Sequence, residues 1–318
     1  MSEKVKLPDS TQLDTLNGKL ESINTTLAGQ GFVTKETIVD AVLAALAKWE
    51  GSSAAEAFRQ SMINYCEKQG YSLQTIEDGT TTLQNQGIWE YRKYWTTMPD
   101  SVTEIVYNGS GCFEGCANVL FDKLSDSLTS IGNYGFYYCT NLALTSLPDS
   151  LTSIGNYGFA NCTNLALTSL PDSLTSIGDC AFQTCTNLAL TSLPEGLTSI
   201  GNYAFQSCAN LALTSLPEGL TSIGKYAFYN NNYDCITEIP ASVKTIGERA
   251  FHKAFNSASL LGFKGALTFK GTPDSIGANA FNHNGSSLKT INVPWAEGAV
   301  AGAPWGFGGT INYNYTGG

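Results

Sequence analysis

Leu197–Gly219 reads LTSIGNYAFQSCANLALTSLPEG, and the chain repeats this line with small changes. The phrase L-T-S-I-G opens at Leu128, Leu151, Leu174, Leu197 and Leu220, each 23 residues after the last. A period of that size predicts a solenoid, because so short a unit buries its apolar face only against its neighbours. One phenylalanine per unit can be followed through Phe113, Phe136, Phe159, Phe182, Phe205, Phe228, Phe251 and Phe281. The expected architecture is therefore mainly β, a solenoid of about eight short coils. Gly, Asn, Ser and Thr supply the turns between its strands. The gap of 30 residues between Phe251 and Phe281 predicts an insertion around Leu260–Lys270.

Outside the repeats the pattern changes. Leu13, Leu16, Leu20, Ile23 and Leu27 are spaced 3-4-3-4, an a/d heptad seam that leans toward trimers or tetramers. The alternative is an amphipathic helix packed on its own domain. Residues 1–31 are thus read as a coiled-coil or attachment helix. Residues 32–95 are read as a small helical module that also covers the first coil, with Thr34 as a helix N-cap. A helix after that cap covers Ile38–Trp49, a second runs from about Ser53 to Lys68, and the aromatic run Ile88–Trp95 packs on the solenoid end. The solenoid occupies residues 96–294, and residues 295–318, with Trp295, Trp305, Phe307, Tyr313 and Tyr315, form a C-terminal cap.

Composition narrows the partners. The formal charge is −10 and only 14% of residues are charged, with no Lys/Arg cluster in the sequence, which disfavours nucleic acid and anionic membranes. The N-terminus lacks an apolar core of signal-peptide length, and the longest apolar stretch, Ala41–Ala47, is too short to cross a bilayer. A protein made in the cytoplasm without Sec export is expected. Five of the nine cysteines, Cys116, Cys139, Cys162, Cys185 and Cys208, recur at one repeat position. Stacked coils bring such residues within disulfide range, but an odd-numbered ladder in a reducing compartment reads better as buried free thiols. A zinc site lacks both the C-x-x-C spacing and nearby histidines.

In a solenoid each repeat position becomes a column, so function is sought column by column. Asn118, Asn141, Asn164, Asn187 and Asn210 are expected to hydrogen-bond turn backbone from coil to coil. Asp126, Asp149, Asp172, Glu195 and Glu218 follow the Leu-Pro turn, where solvated carboxylates are ordinary turn chemistry. A cation site or a paired-carboxylate glycosidase is the alternative for that acidic column. Threonines at 129, 152, 175, 198 and 221 each precede a serine that faces the other way, so no wide Thr array for ice results.

The otherwise identical units differ most in three places. One column reads Tyr134, Tyr157, Cys180, Tyr203, Tyr226, Arg249. The two positions after Phe read Tyr137-Tyr138, Ala160-Asn161, Gln183-Thr184, Gln206-Ser207, Tyr229-Asn230 and His252-Lys253. Tyr, Gln, Asn and Ser suit a recognition surface, giving contact area at low ordering cost. The candidate binding residues are therefore Tyr134, Tyr137, Tyr138, Tyr157, Gln183, Tyr203, Gln206, Tyr226 and Tyr229, unless the tyrosines merely shield the coil edges. Catalysis has no support: His252 and His283 are isolated, and no nucleophile elbow or phosphate loop occurs. No cofactor and no metal are expected.

The recurring A-F-x-x-C, N-L and L-P signposts over residues 99–294 resemble the BspA-like, or Treponema-type, leucine-rich repeat. That resemblance implies a leucine-rich-repeat solenoid and the role of an extracellular adhesin or binding protein. The flanks, with their heptads and the ending Ile291–Tyr315, are similar to tails of phage and prophage repeat proteins. The combined expectation is a non-enzymatic recognition protein, virion- or tail-associated, presenting a repeat surface to a cell-surface glycan or protein as a homotrimer or on a larger particle. A bacterial cell-surface adhesin and a carbohydrate hydrolase are the competing readings.

Overall fold

The computed structural model describes residues 82–83, 98, 100–107, 109, 111–116, 119, 121–231, 236–254, 265–282 and 288–317. Contacts divide the chain into Met1–Gln74 and Thr75–Gly318, and every described residue belongs to the second unit. The heptad seam at Leu13, Leu16, Leu20, Ile23 and Leu27, the helices expected over residues 34–68, and the aromatic run 88–95 lie outside the described residues.

The described unit is a β-solenoid. Strands β1 (Thr82–Leu83), β2 (Glu104–Ile105), β3 (Ser130–Ile131), β4 (Ser153–Ile154), β5 (Ser176–Ile177), β6 (Ser199–Ile200), β7 (Ser222–Ile223), β9 (Thr245–Ile246) and β11 (Ser275–Ile276) stack in one parallel sheet. The register pairs like with like, Ser130 with Ser153 and Ile131 with Ile154, so the 23-residue repeat is the coil itself. Each strand is two residues long because the alternation needs no more. In β3 to β7, β9 and β11 the isoleucine turns into the core, the Ser or Thr before it turns out, and the following glycine ends the strand.

The phenylalanine column forms the spine. All eight rings are fully buried and stack coil on coil, with centroid separations running from 5.0 Å for Phe113–Phe136 to 5.6 Å for Phe205–Phe228. Offset-stacked rings at this spacing add to the hydrophobic gain of burial. Leucines at 128, 151, 174, 197 and 220 fill the same core from the other wall. Glycine after β3 to β7, β9 and β11 is required by approach: a Cβ on Gly201 would stand 2.6 Å from the Gly178 carbonyl carbon of the preceding coil.

Side chains also join coil to coil. Thr152 and Thr175 hydroxyls donate to the carbonyls of Thr129 and Thr152 at 3.0 and 3.3 Å, and Ser173 Oγ donates to Leu151 O at 2.7 Å. The cysteine column is a column of free, buried thiols. Cys139, Cys162, Cys185 and Cys208 each donate from Sγ to a phenylalanine carbonyl 26 residues earlier, at 3.0 Å. Burial pushes these thiols up, Cys208 to about 12. The next residue of the column is Asn231, also buried, whose Nδ2 donates to Phe205 O at 2.9 Å.

Toward the C-terminus a second parallel sheet appears, in the order β13-β12-β10-β8, from β8 (Glu238–Ile239), β10 (Ala266–Phe269), β12 (Thr290–Asn292) and β13 (Thr310–Asn312). Here T-E-I-P and T-I-N-V stand where central coils read T-S-L-P. β-Branched residues favour the extended pairing that Leu and Ser leave irregular. Ala266–Phe269, read from sequence as part of an insertion, is a regular strand paired with both β8 and β12. The segment after Val293 adds β13 and buries Trp295 and Trp305, with Trp305 Nε1 donating to Ala301 O at 2.9 Å.

Candidate functional site

The variable columns share a backbone that sequence reading does not reveal. Tyr134, Tyr157, Cys180, Tyr203, Tyr226, Arg249 and Asn279 all have φ between 53° and 58°, and so do Ser207 and Asn230 in the column four residues on. Tyr138, Thr184 and Lys253 in that second column lie at 58–60°, and Asn161 at 62°. This left-handed conformation disfavours residues with a Cβ by about 1–2 kcal/mol each. Hydrogen bonds hold it. The N–H groups of Tyr134, Phe136 and Tyr138 donate forward to Asn156, Gly158 and Ala160 carbonyls at 2.8, 2.7 and 2.9 Å. The alternate N–H groups of Gly135, Tyr137 and Cys139 close tight turns onto carbonyls three residues back. Left-handed residues four positions apart let one segment do both, and the pair recurs from the coil of Phe136 to that of Phe251.

A side-chain ladder at the neighbouring position reinforces this. Asn133 Oδ1 accepts from Asn156 N at 2.8 Å, Asn156 Oδ1 from Asp179 N at 2.8 Å, Asp179 Oδ1 from Asn202 N at 2.7 Å, and Asn202 Oδ1 from Lys225 N at 2.8 Å. The backbone-bonding side chains are these, one residue after the strand glycine. In the column expected to serve that purpose, Asn164 donates to the Asn141 side chain at 3.4 Å, and Asn187 and Asn210 are exposed. Asn118 lies outside the described residues. Short turn backbone beside the glycine is what carries the unpaired N–H groups, and a side chain at the outer N-L corner stands away from it.

The tyrosines form two stacks. Tyr134 lies on Tyr157 with centroids 4.8 Å apart and planes 6° from parallel, and Tyr203 lies on Tyr226 at 4.8 Å and 8°. Tyr107 extends the first stack at 5.8 Å from Tyr134, an exposed ring (47%) absent from the sequence-derived candidates. Its only sequence signal is its place two residues beyond a strand isoleucine, where the drift of the first coil hides the period. Tyr137 meets Tyr134, Tyr138 and Tyr157 edge-on, so Tyr107, Tyr134, Tyr137, Tyr138 and Tyr157 form one cluster, with Tyr138 48% exposed. Between the stacks Cys180 is buried, and its hydrogen bond to the Tyr157 hydroxyl pushes that phenol up to about 12. Gln183 Nε2 donates to Gln206 Oε1 at 2.6 Å, bridging the gap in the adjacent column. Tyr226 meets Tyr229 edge-on at 5.5 Å, and Tyr229 stacks on His252 at 5.3 Å.

The nine candidate residues thus lie in three columns, all partly buried except the exposed Tyr138. This arrangement makes contacts; it assembles no nucleophile with a base. The acidic column, Asp126, Asp149, Asp172, Glu195 and Glu218, is exposed, and Asp126 pairs with Lys123 at 3.2 Å. Among the described residues no group of three or more His, Cys, Asp or Glu side chains stands ready to hold a metal ion. His283 lies outside them.

The family model for the BspA type leucine rich repeat region matches residues 94–189 and 177–297. The chain belongs to the BspA type leucine rich repeat family. A BspA type coil therefore carries every residue of the face described above. Among solved structures the chain is similar to a leucine rich cell surface protein from Faecalibacterium prausnitzii, with 22% identity and a TM-score of 0.42, covering 70% of this chain and 62% of that one. It is also similar to a leucine-rich repeat protein from Bacteroides ovatus, with 23% identity, a TM-score of 0.48, and coverage of 76% and 56%. A leucine rich repeat protein of T. pallidum shares 26% identity at a TM-score of 0.37, with coverage of 57% and 69%. This chain spans less than two thirds of the length of the first two. No functionally curated protein matches its sequence.

Proposed function

We propose that this BspA type chain is a non-enzymatic recognition protein, an adhesin that presents its variable columns to a cell-surface glycan or protein. One observation carries the reading. The left-handed backbone recurs from the coil of Phe136 to that of Phe251, while the side chains mounted on it change from Tyr to Cys, Arg, Asn, Thr, Ser or Lys. A rigid frame with varied Tyr, Asn and Gln tips gives specificity at low ordering cost, and suits sugar rings and hydroxyls as well as protein surfaces. The test is binding of the full chain to a glycan array and to intact cells, beside Tyr137→Ala/Tyr138→Asn. Loss of binding with an unchanged melting temperature supports the reading. Equal binding by the variant and the parent chain removes this face from it.

The heptads extend the proposal. Joined through Leu13, Leu16, Leu20, Ile23 and Leu27, three copies on a phage-tail-like particle would multiply weak contacts by avidity. Light scattering of the full chain decides it. A mass three times the 33.9 kDa of one chain, reduced to one by Leu16→Asp/Ile23→Asp, supports the trimer. A monomer in both leaves a solitary cell-surface adhesin.

A further inference from the structure

The tyrosine face changes character at its C-terminal end. The chain as a whole carries a formal charge of −10, yet Arg249, His252 and Lys253 occupy all three variable columns of one coil, and Lys225 stands one coil before. Arg249 lies over the Tyr226 ring at 5.5 Å and donates from Nη1 to its hydroxyl at 2.6 Å, which fixes the guanidinium against the stack. His252 is held by Tyr229 in the same way, ring on ring. Glu248 is the carboxylate beside the cluster, its Oε1 4.0 Å from Arg249 Nε and outside hydrogen-bond range. Arg249 Nε and His252 Nδ1 are both shielded from solvent, and neither has a hydrogen-bond partner among the described residues. Burial, then Arg249 and Lys253, hold the His252 pKa below its usual value, so a mostly neutral imidazole sits beside the two cations Arg249 and Lys253.

Two cations on one coil are unfavourable unless an anion answers them, and an oxygen anion at the exposed part of the Arg249 side chain would do so. The cluster is one coil wide. Tyr226, Tyr229 and Asn230 flank it on one side and Asn279 and Asn282 on the other. A polyanion would meet the acidic remainder of the chain, whereas a single charged group on a neutral polyol would meet tyrosines and amides. We infer that Arg249, His252 and Lys253 form a subsite for an acidic saccharide, a sulfate or carboxylate on a sugar whose ring lies against Tyr226 and Tyr229. The inference rests on the recognition role proposed above and names its ligand class.

The full chain is titrated with a sulfated hexasaccharide, a galacturonate hexasaccharide and a neutral glucose hexasaccharide. The two acidic arms distinguish sulfate from carboxylate. The matched variant is Arg249→Asn/Lys253→Asn, which the backbone accepts because Asn279 and Asn230 already hold φ 57° in the same columns. Lys123→Gln, an exposed lysine elsewhere, controls for net charge. At least one acidic sugar should bind about tenfold tighter than the neutral one, and the double variant should lose about that factor. Lys123→Gln should lose none, and raising salt from about 0.05 to about 0.3 M should weaken only the acidic arm. Wild-type chain that binds neither acidic sugar, or a double variant that binds as tightly as wild type, overturns the inference. If the acidic arms fail while the face still captures neutral glycans or proteins, the subsite falls and the recognition role stands.

Discussion

Asn231 donates from Nδ2 to the Phe205 carbonyl at 2.9 Å, the bond that a cysteine thiol makes in each of the four coils before it. Its Oδ1 also accepts from Cys208 N at 2.7 Å, so one amide satisfies a carbonyl and an N–H in the buried wall. The column is therefore selected for a short donor aimed at the phenylalanine carbonyl, and sulfur is one way to provide it. Asn231→Ala strands both partners and should cost about 2–4 kcal/mol in urea unfolding, since each buried unpaired group costs about 1–3 kcal/mol. Asn231→Cys restores the donor and should recover roughly half of that loss.

The same burial predicts inert thiols. Cys139, Cys162, Cys185 and Cys208 are raised well above an ordinary thiol, and the thiolate is the reactive form. Native protein treated with iodoacetamide at about pH 8 should leave these four unlabelled in peptide mapping, and unfolded protein should label all four. Above about pH 8.5 the unfolded chain releases thiol protons that the folded chain retains, so stability should fall as pH rises there and be flat below.

Thr184 is a β-branched residue at φ 60°, in the column where Asn161 and Asn230 stand. Asparagine tolerates the left-handed region and threonine does not. Thr184→Asn should stabilise the chain by about 0.5–1 kcal/mol, read as a shift of the denaturation midpoint at unchanged slope.

Gly201 faces the backbone of the previous coil so closely that its Cβ would lie 2.6 Å from a carbonyl carbon and 2.7 Å from Asp179 N. Backbone cannot swing aside as a side chain does. Gly201→Ala should therefore destabilise by about 1–3 kcal/mol or more, and Gly219→Ala, with 3.6 Å to its nearest atom, by far less. Equal melting temperatures for the two would show that the coils separate more easily than the glycine column implies.

The spacing of L-T-S-I-G, the eight phenylalanines and the five cysteines determined the coil, its register and its core, because stacking places residues one period apart in contact and like must pack on like. Which turn residues stand in the left-handed region was decided only in three dimensions. It depends on alternate N–H groups bonding forward to the next coil and backward within the turn, and Tyr, Cys, Thr and Lys carry no sign of that demand. The side-chain ladder at Asn133, Asn156, Asp179 and Asn202, the second sheet through Ala266–Phe269, and the closeness of Arg249 to Tyr226 likewise arise from the path of the chain between repeats. Periodicity identifies the columns; the path of the chain sets which of them touch and which atoms they leave outermost.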